Sequence, residues 1–422
     1  MIIFLAPLFL FLFIALFQLI PVPLSVIEGI SPSTAALYNK LGLSSNIQHL
    51  TFNFAFPFLP LSLSIYSTTT AILKWFAYTG AFILVATFNP PEEELSNGNW
   101  IKIICIVFFI IGFVEAIYGL YMYLNHSGSL LWFARKMKND CVNGTYINRN
   151  HFAGFMNICI LVTMGFFIAY IGSFKKKNYK VKEALIKVFT ANKAPIAYLY
   201  VFGIVVMILA LMFSLSRMGQ FSLIAGFISI GMLYTARKMK LPLFMLTFIL
   251  CLSFLWGAWK GLEPIEERWR ALDPIHEGRA MYAQATLKLS SDYPLLGTGL
   301  GSYELAFPPY KPAKIGAGIV DHAHNDYLEM LSEVGWIGFI CWFLFFLIYL
   351  YFTVSLWLIR RNPFSRGIGA GGIAAVISMM VHSFADFNLQ IPANALLTFI
   401  VMAITWQAVN SSFSTYKTFR NL

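Results

Sequence analysis

Ten stretches of this chain are apolar over 17 or more residues: 2–20, 71–88, 101–122, 152–172, 196–214, 218–236, 241–259, 335–358, 368–384 and 391–409. A helix rises about 1.5 Å per residue, so about 20 such residues cross a hydrocarbon core of about 30 Å. In that medium only helices and closed barrels satisfy every backbone N–H and C=O. The runs therefore predict an all-α polytopic membrane protein of about ten transmembrane helices, in a single membrane domain over 1–422. The composition agrees: 58% of the 422 residues are hydrophobic and 12% charged, against about half and a quarter in soluble domains. A soluble enzyme and a disordered chain are excluded. The first run has no basic segment ahead of it and is long for a signal peptide, so it reads as an uncleaved span. Five scattered cysteines, with no CxxC or Cys/His spacing, indicate neither a disulfide framework nor a metal site.

Thirty Lys and Arg stand against 19 Asp and Glu, a balance of +11. Without a nucleic-acid motif, this excess points to the membrane, where basic loops stay cytoplasmic and meet anionic lipid. Three short loops are basic: 174–195, with Lys175, Lys176, Lys177, Lys180, Lys182, Lys187 and Lys193; 237–240, with Arg237, Lys238 and Lys240; and 360–366, with Arg360, Arg361 and Arg366. Alternating spans put all three on one side with Lys417 and Arg420, so both termini are expected in the cytoplasm. Arg135, Lys136, Lys138 and Arg149 then face outward, where cations are candidates for binding an anion.

Two outward segments are too long to be connectors: an apolar, proline-cut stretch at 21–70, expected on the membrane interface, and a loop at 260–334. The loop holds a helix-compatible stretch (277–294), then LLGTGLGSYE, then DHAHNDYLE leading into the eighth span. The glycines fit neither GxGxxG nor a P-loop, so LLGTGLGSYE is expected to be a turn. GxSxG and HExxH are absent. In DHAHNDYLE, Asp321 could cap the helix, and helical spacing would put His322, Asn325 and Glu329 on one face and His324 beside Tyr327 and Leu328. Histidine is suited to proton transfer near neutrality. The plainer alternative is that a helix leaving the bilayer needs polar residues of this kind. Arg217, in the tight FSLSRMG turn, and Arg279, in EGRAMY, could each grip phosphate through a planar fork of donors or simply snorkel to lipid headgroups. His382 and Asp386 could bind an acceptor or lock neighbouring helices.

Together these segments resemble the O-antigen ligase and polymerase family. The likeness rests on His324-Asn325, nine residues and then Gly335-Trp336-Ile337-Gly338; on Arg279 and DYPLLGTGLGSY; on SLSRMG; on YINRNHFAG at 146–154; and on HSFADFNLQIPAN at 382–394. It covers residues 30 to 410. Many members carry further helices ahead of the first outer segment, whereas here Met1 opens a span directly before it. The resemblance implies a GT-C-type glycosyltransferase of the bacterial plasma (inner) membrane with its active site on the periplasmic, extracytoplasmic side. It would move a glycan from undecaprenyl pyrophosphate to an acceptor hydroxyl, with inversion and with no metal or cofactor. The acceptor is lipid A-core for a ligase, a growing polysaccharide for a polymerase, and a protein for an oligosaccharyltransferase. Carried over, His324 is the catalytic base and Arg217 and Arg279 bind pyrophosphate. His322, Asn325 and Arg149 are expected at the substrate in supporting roles, and Asn150 could add a donor contact. The other class to weigh is a multi-pass transporter. Transport of polar solutes usually leaves ionisable residues near the midplane, yet only Glu115 lies well inside a span, and no inverted repeat is visible.

Overall fold

A computed structural model describes residues 1–42, 58–90, 99–125, 140–174, 194–239, 274–316 and 318–411, with short pairs and isolated positions between them. Its helices are α1 (Ile2–Phe17), α2 (Leu24–Ile30), α3 (Pro32–Lys40), α4 (Ile65–Thr87), α5 (Asn99–Leu124), α6 (Arg149–Phe174), α7 (Ala194–Phe213), α8 (Arg217–Ala236), α9 (Pro274–Asp292), the short α10 (Tyr303–Ala306), α11 (Asp326–Ile359), α12 (Pro363–His382) and α13 (Pro392–Asn410). Strands β1 (Val22–Pro23) and β2 (Phe58–Leu59) pair antiparallel. Among the described residues, eight helices, α4 to α8 and α11 to α13, are long and apolar enough to cross a membrane. The protein is thus an all-α polytopic membrane protein. The expected seventh span (241–259), the 174–195 lysines, Lys240, Arg135, Lys136, Lys138, residues 260–273, Lys417 and Arg420 lie outside the described residues, apart from isolated positions.

The first run is shorter than expected: α1 has 16 residues, too few for a full crossing. Its end is set by Gln18, a lone amide in an apolar run and fully buried. The Gln18 Nε2 donates to the carbonyls of Leu296 (2.5 Å) and Glu333 (2.8 Å), and its Oε1 accepts from Leu300 N (3.0 Å). Leu19 and Ile20 then bond three residues back, tightening the last turn in the 3₁₀ manner.

The chain divides into two compact units. The first comprises residues 1–79, 272–351 and 383–390; the second comprises 80–271, 352–382 and 391–422.

In the second unit, α6 is the central helix, buried along its whole apolar window, as a helix apolar on every side must be. Small residues let α12 approach it: a Cβ on Gly165 would meet Gly367 O at 2.6 Å and Gly371 Cα at 2.7 Å, the close contact that bundles in lipid favour. At one end of this unit, Ser216 caps α8 by accepting from Gly219 N, and Asn157 of α6 donates to Gly219 O (3.0 Å) and Ser222 Oγ (2.7 Å). Glu115, the lone carboxylate within α5, is used at that end too, accepting from Thr145 N (2.6 Å) and Thr145 Oγ1 (2.9 Å). At the other end, the Arg366 guanidinium reaches Met239 Sδ (3.4 Å), just past α8, and Arg360 donates to the terminal carbonyls of α13 at Val409 and Asn410. The described members of the two short basic loops therefore share one end of the unit, and Arg149 and Arg217, at the starts of α6 and α8, share the other.

In the first unit, α11 is broken at Gly335, whose φ of 63° and ψ of −175° are not helical. The eighth run was expected to begin at this residue. The break deprives Ser332 O and Glu333 O of their donors four residues on, and the LLGTGLG turn supplies replacements: Thr298 N bonds Ser332 O (3.0 Å) and Gly299 N bonds Glu333 O (2.9 Å). In return, Trp336 N donates to Pro294 O (2.8 Å) and Ile337 N to Leu295 O (3.3 Å). Irregular backbone at membrane depth is tolerated where protein satisfies it in this way. The approach leaves no room for side chains: a Cβ on Gly297 would lie 2.3 Å from Glu333 C, and one on Gly335 2.3 Å from Leu295 C. LLGTGLGS is thus a turn, as expected, with Tyr303 and Glu304 opening α10, and it splices the broken helix.

Candidate active site

The DHAHN run sits above the first half of α11. That helix begins at Asp326, so the expected helical face of His322, Asn325 and Glu329 does not form. Nor is Asp321 the cap. Asn325 is: its Oδ1 accepts from Tyr327 N and Leu328 N (3.0 Å each), and its Nδ2 donates to Phe384 O (2.8 Å). His324, just before the cap, has a left-handed φ of 52°, a conformation that prevents the helix from continuing backward. The sequence suggested only Asp321, and the neighbouring 383–390 segment holds the helix start at Asn325 instead. There, Ser383 Oγ donates to Asp326 Oδ2 (2.7 Å), Leu389 N donates to the same oxygen (3.1 Å), and Asp326 N donates to Ser383 O (3.0 Å).

The run folds back over the helix start, so His322 still meets Glu329. Its Nδ1 lies 2.6 Å from Glu329 Oε1, and Glu329 Oε2 accepts from Ala323 N (2.7 Å). Phe387 stacks on the His322 ring (4.2 Å between centroids) and turns its edge toward His324 (5.0 Å). Tyr282 lies at 5.8 Å from the His324 ring. His324 is thus held between two aromatic rings, half-buried, and its Nδ1 is buried with no hydrogen-bond partner.

Arg279 reaches this cluster because of the face it occupies on α9, a helix over 274–292 where the sequence suggested 277–294. Residues 282, 285, 289 and 293 recur at helical spacing and pack with Tyr303 and Phe307 in an apolar core, beside which Thr286 Oγ1 lies 2.8 Å from Tyr303 OH. Arg279 extends that stripe. Its Nη2 lies 3.7 Å from Asp386 Oδ2, with the guanidinium side chain 27% exposed and the carboxylate fully buried. Asp386 Oδ1 accepts from Phe387 N (2.9 Å).

The two histidines differ electrostatically. Burial opposes the charge on His322, but the Glu329 carboxylate in contact with it prevails and raises its pKa to about 9. For His324 burial prevails. Asp386 pulls its pKa up and Arg279 pushes it down, and the result lies below the ordinary imidazole value. At neutral pH His322 is a cation and His324 a neutral base.

Of the residues singled out by sequence, the first unit brings together Arg279, His322, His324 and Asn325, with Asp386 paired to the arginine. Arg217 and Arg149 belong to the second unit, each half-buried at a helix start. Sequence reasoning missed Phe387, Tyr282 and Glu333. Phe387 stood inside the quoted HSFADFNLQIPAN segment, but nothing in its type marked it out. A cavity of about 230 Å³ adjoins the cluster, with His322, Glu329 and Glu333 among its walls; neither His324 nor Arg279 lines it.

Residues 202–343 match the family model described as O-antigen ligase. Over that stretch, about a third of its length, the chain is similar to the O-antigen ligase family. No curated protein matches it closely enough to count. The O-antigen ligase match runs from α7 through the break in α11, so it includes Arg217, Arg279, His322, His324 and Asn325. Arg149, Asp386 and Phe387 lie beyond it.

Proposed function

We propose that this protein is an O-antigen ligase of the bacterial plasma membrane, transferring a glycan from undecaprenyl pyrophosphate to a hydroxyl of lipid A-core on the extracytoplasmic side. The observation that supports it most is a neutral histidine between two aromatic rings, within the field of an arginine anchored to a buried carboxylate. In the reaction the acceptor oxygen attacks C1 of the donor sugar, the C1–O bond to pyrophosphate breaks, and the lipid diphosphate leaves with the electron pair. The acceptor proton passes to the His324 imidazole. Cationic His322 has no vacancy for that proton. Attack opposite the leaving group inverts the anomeric centre.

The leaving diphosphate needs its negative charge met more than it needs a proton. Arg279 supplies a planar, permanently charged fork, and Asp386 fixes its direction without covering it. Arg217, at the first position of α8, is proposed as a second phosphate ligand, and Arg149, at the first position of α6, as an auxiliary one. The gathering of basic residues at the far end of the second unit supports placing that end, where α13 finishes, in the cytoplasm.

The test is reconstitution: purified protein in liposomes with a lipid-linked glycan and lipid A-core. Glycosylated core should appear with wild type and not with His324→Ala. A polymerase is the second reading, because the O-antigen ligase and polymerase family share the histidine and arginine segments. If the only product is a lengthened lipid-linked glycan, the polymerase reading replaces the ligase one. Movement of a solute into empty liposomes without any transfer would instead favour a transporter.

A further inference from the structure

We infer that the cavity beside His322 is a subsite for one uncharged sugar ring, separate from the histidine and arginine proposed to act on the reacting bond. One wall is a single face of α4, with Tyr66, Thr70, Lys74 and Tyr78 spaced four apart and Ser67 and Trp75 beside them. That face extends about 18 Å along the helix. The opposite wall carries Tyr303, Glu304, Asp321, His322, Glu329 and Glu333. The volume, about 230 Å³, falls below the range of drug-sized pockets and suits a single ring.

Glu333 points to the ligand. The residue is 1% exposed, and its Oε1 accepts from Tyr303 N (3.1 Å), while Oε2 is buried with no hydrogen-bond partner. A buried carboxyl oxygen without a partner is costly, and this residue lines the cavity. A sugar hydroxyl would supply the partner. Charge decides the class of sugar: beside Glu333, three carboxylates, Glu304, Asp321 and Glu329, face two cations, Lys74 and His322. The excess negative charge disfavours a diphosphate or a uronic acid and favours a hydroxyl-rich neutral ring. Trp75 and Tyr78 offer aromatic surface for its C–H face. Phe387, in contact with both His322 and His324, lies outside the cavity lining and buffers it from the proposed base.

The source of the ring, donor glycan or acceptor glycan, rests on the glycosyl-transfer reading; the sugar-binding chemistry does not. Saturation-transfer NMR on the full chain in lipid nanodiscs tests it, with methyl glycosides of glucose, galactose and N-acetylglucosamine as probes and methyl glucuronide as the anionic control. At least one neutral glycoside should receive saturation, and the glucuronide should not. Glu333→Gln keeps the acceptor for Tyr303 N and should raise the dissociation constant about tenfold or more. Thr70→Trp, which fills the cavity from the α4 side, should abolish the signal even if Glu333→Gln folds poorly. His324→Ala should bind as wild type. Glycan-free undecaprenyl pyrophosphate should not compete, whereas core oligosaccharide or lipid-linked glycan should, and the one that does identifies the source. Silence from every neutral glycoside, or wild-type binding by both cavity variants, overturns the subsite. Binding without transfer in the reconstituted system leaves the subsite standing and overturns the proposed reaction alone.

Discussion

His322 Nδ1 lies 2.6 Å from Glu329 Oε1, and that contact divides the labour between two histidines only two residues apart. The carboxylate holds His322 protonated at neutral pH, while burial between Tyr282 and Phe387 keeps His324 neutral. Two imidazoles on one short run thus present a fixed cation and a free base.

Replacing His324 with Ala or Asn is expected to lower kcat for glycan transfer by about 10² to 10⁴, the usual yield of a positioned general base, with little change in expression. His322→Gln should cost less, because its charge orients and attracts rather than accepting a proton. Single-turnover transfer with both variants separates the roles; equal losses would contradict the division.

The pH dependence follows from the same pair. The lowered pKa of His324 keeps the base form available at neutral pH, so kcat/KM should fall only as the pH drops below the ordinary histidine value of about 6.5. His322 is raised to about 9 in the folded protein, so its ion pair with Glu329 stabilises fully below about pH 6.5 and is lost as the pH rises through about 9. The Tm in detergent should decline over that window for wild type and not for Glu329→Gln.

Arg279→Ala is expected to reduce transfer by about 10² to 10³, on the scale of losing one electrostatic contact to developing charge. Asp386→Asn leaves the arginine in place but loosens its anchor, so KM for the lipid-linked donor should rise more than kcat falls. Arg217→Ala should behave like Arg279→Ala. Measuring donor KM and kcat for all three distinguishes a ligand from an anchor.

Gly335→Ala should destabilise the fold by about 3 kcal/mol, because the residue occupies a left-handed conformation and a Cβ there meets the Leu295 backbone. Thermal unfolding in detergent reads the loss. Gly278→Ala, with open space around its Cβ, is the control that should remain near wild type.

Hydrophobic run length and spacing alone were enough to read eight of the spans, because the demand for internally bonded backbone in lipid leaves a long apolar run few alternatives. The basic loops were legible for a similar reason, and in the second unit their described members do share one end. The chemistry of the DHAHN run was only partly legible: the residue types announced proton transfer, but helical spacing misjudged how they meet. Asn325 took the cap from Asp321, and the backbone turned left-handed at His324, because the 383–390 segment, some 60 residues away in the chain, bonds the helix start. No local pattern encodes that neighbour.

Residue types and order by themselves determined a multi-span helical membrane protein, its basic end and the histidine and arginines to examine, since these follow from solvation and from charge. Tertiary structure decided which histidine carries a proton at neutral pH, where α11 breaks and what replaces its lost hydrogen bonds. Those outcomes depend on burial and on partners distant in sequence: Glu329 against His322, Asp386 against Arg279, and the Gly297 turn against Gly335.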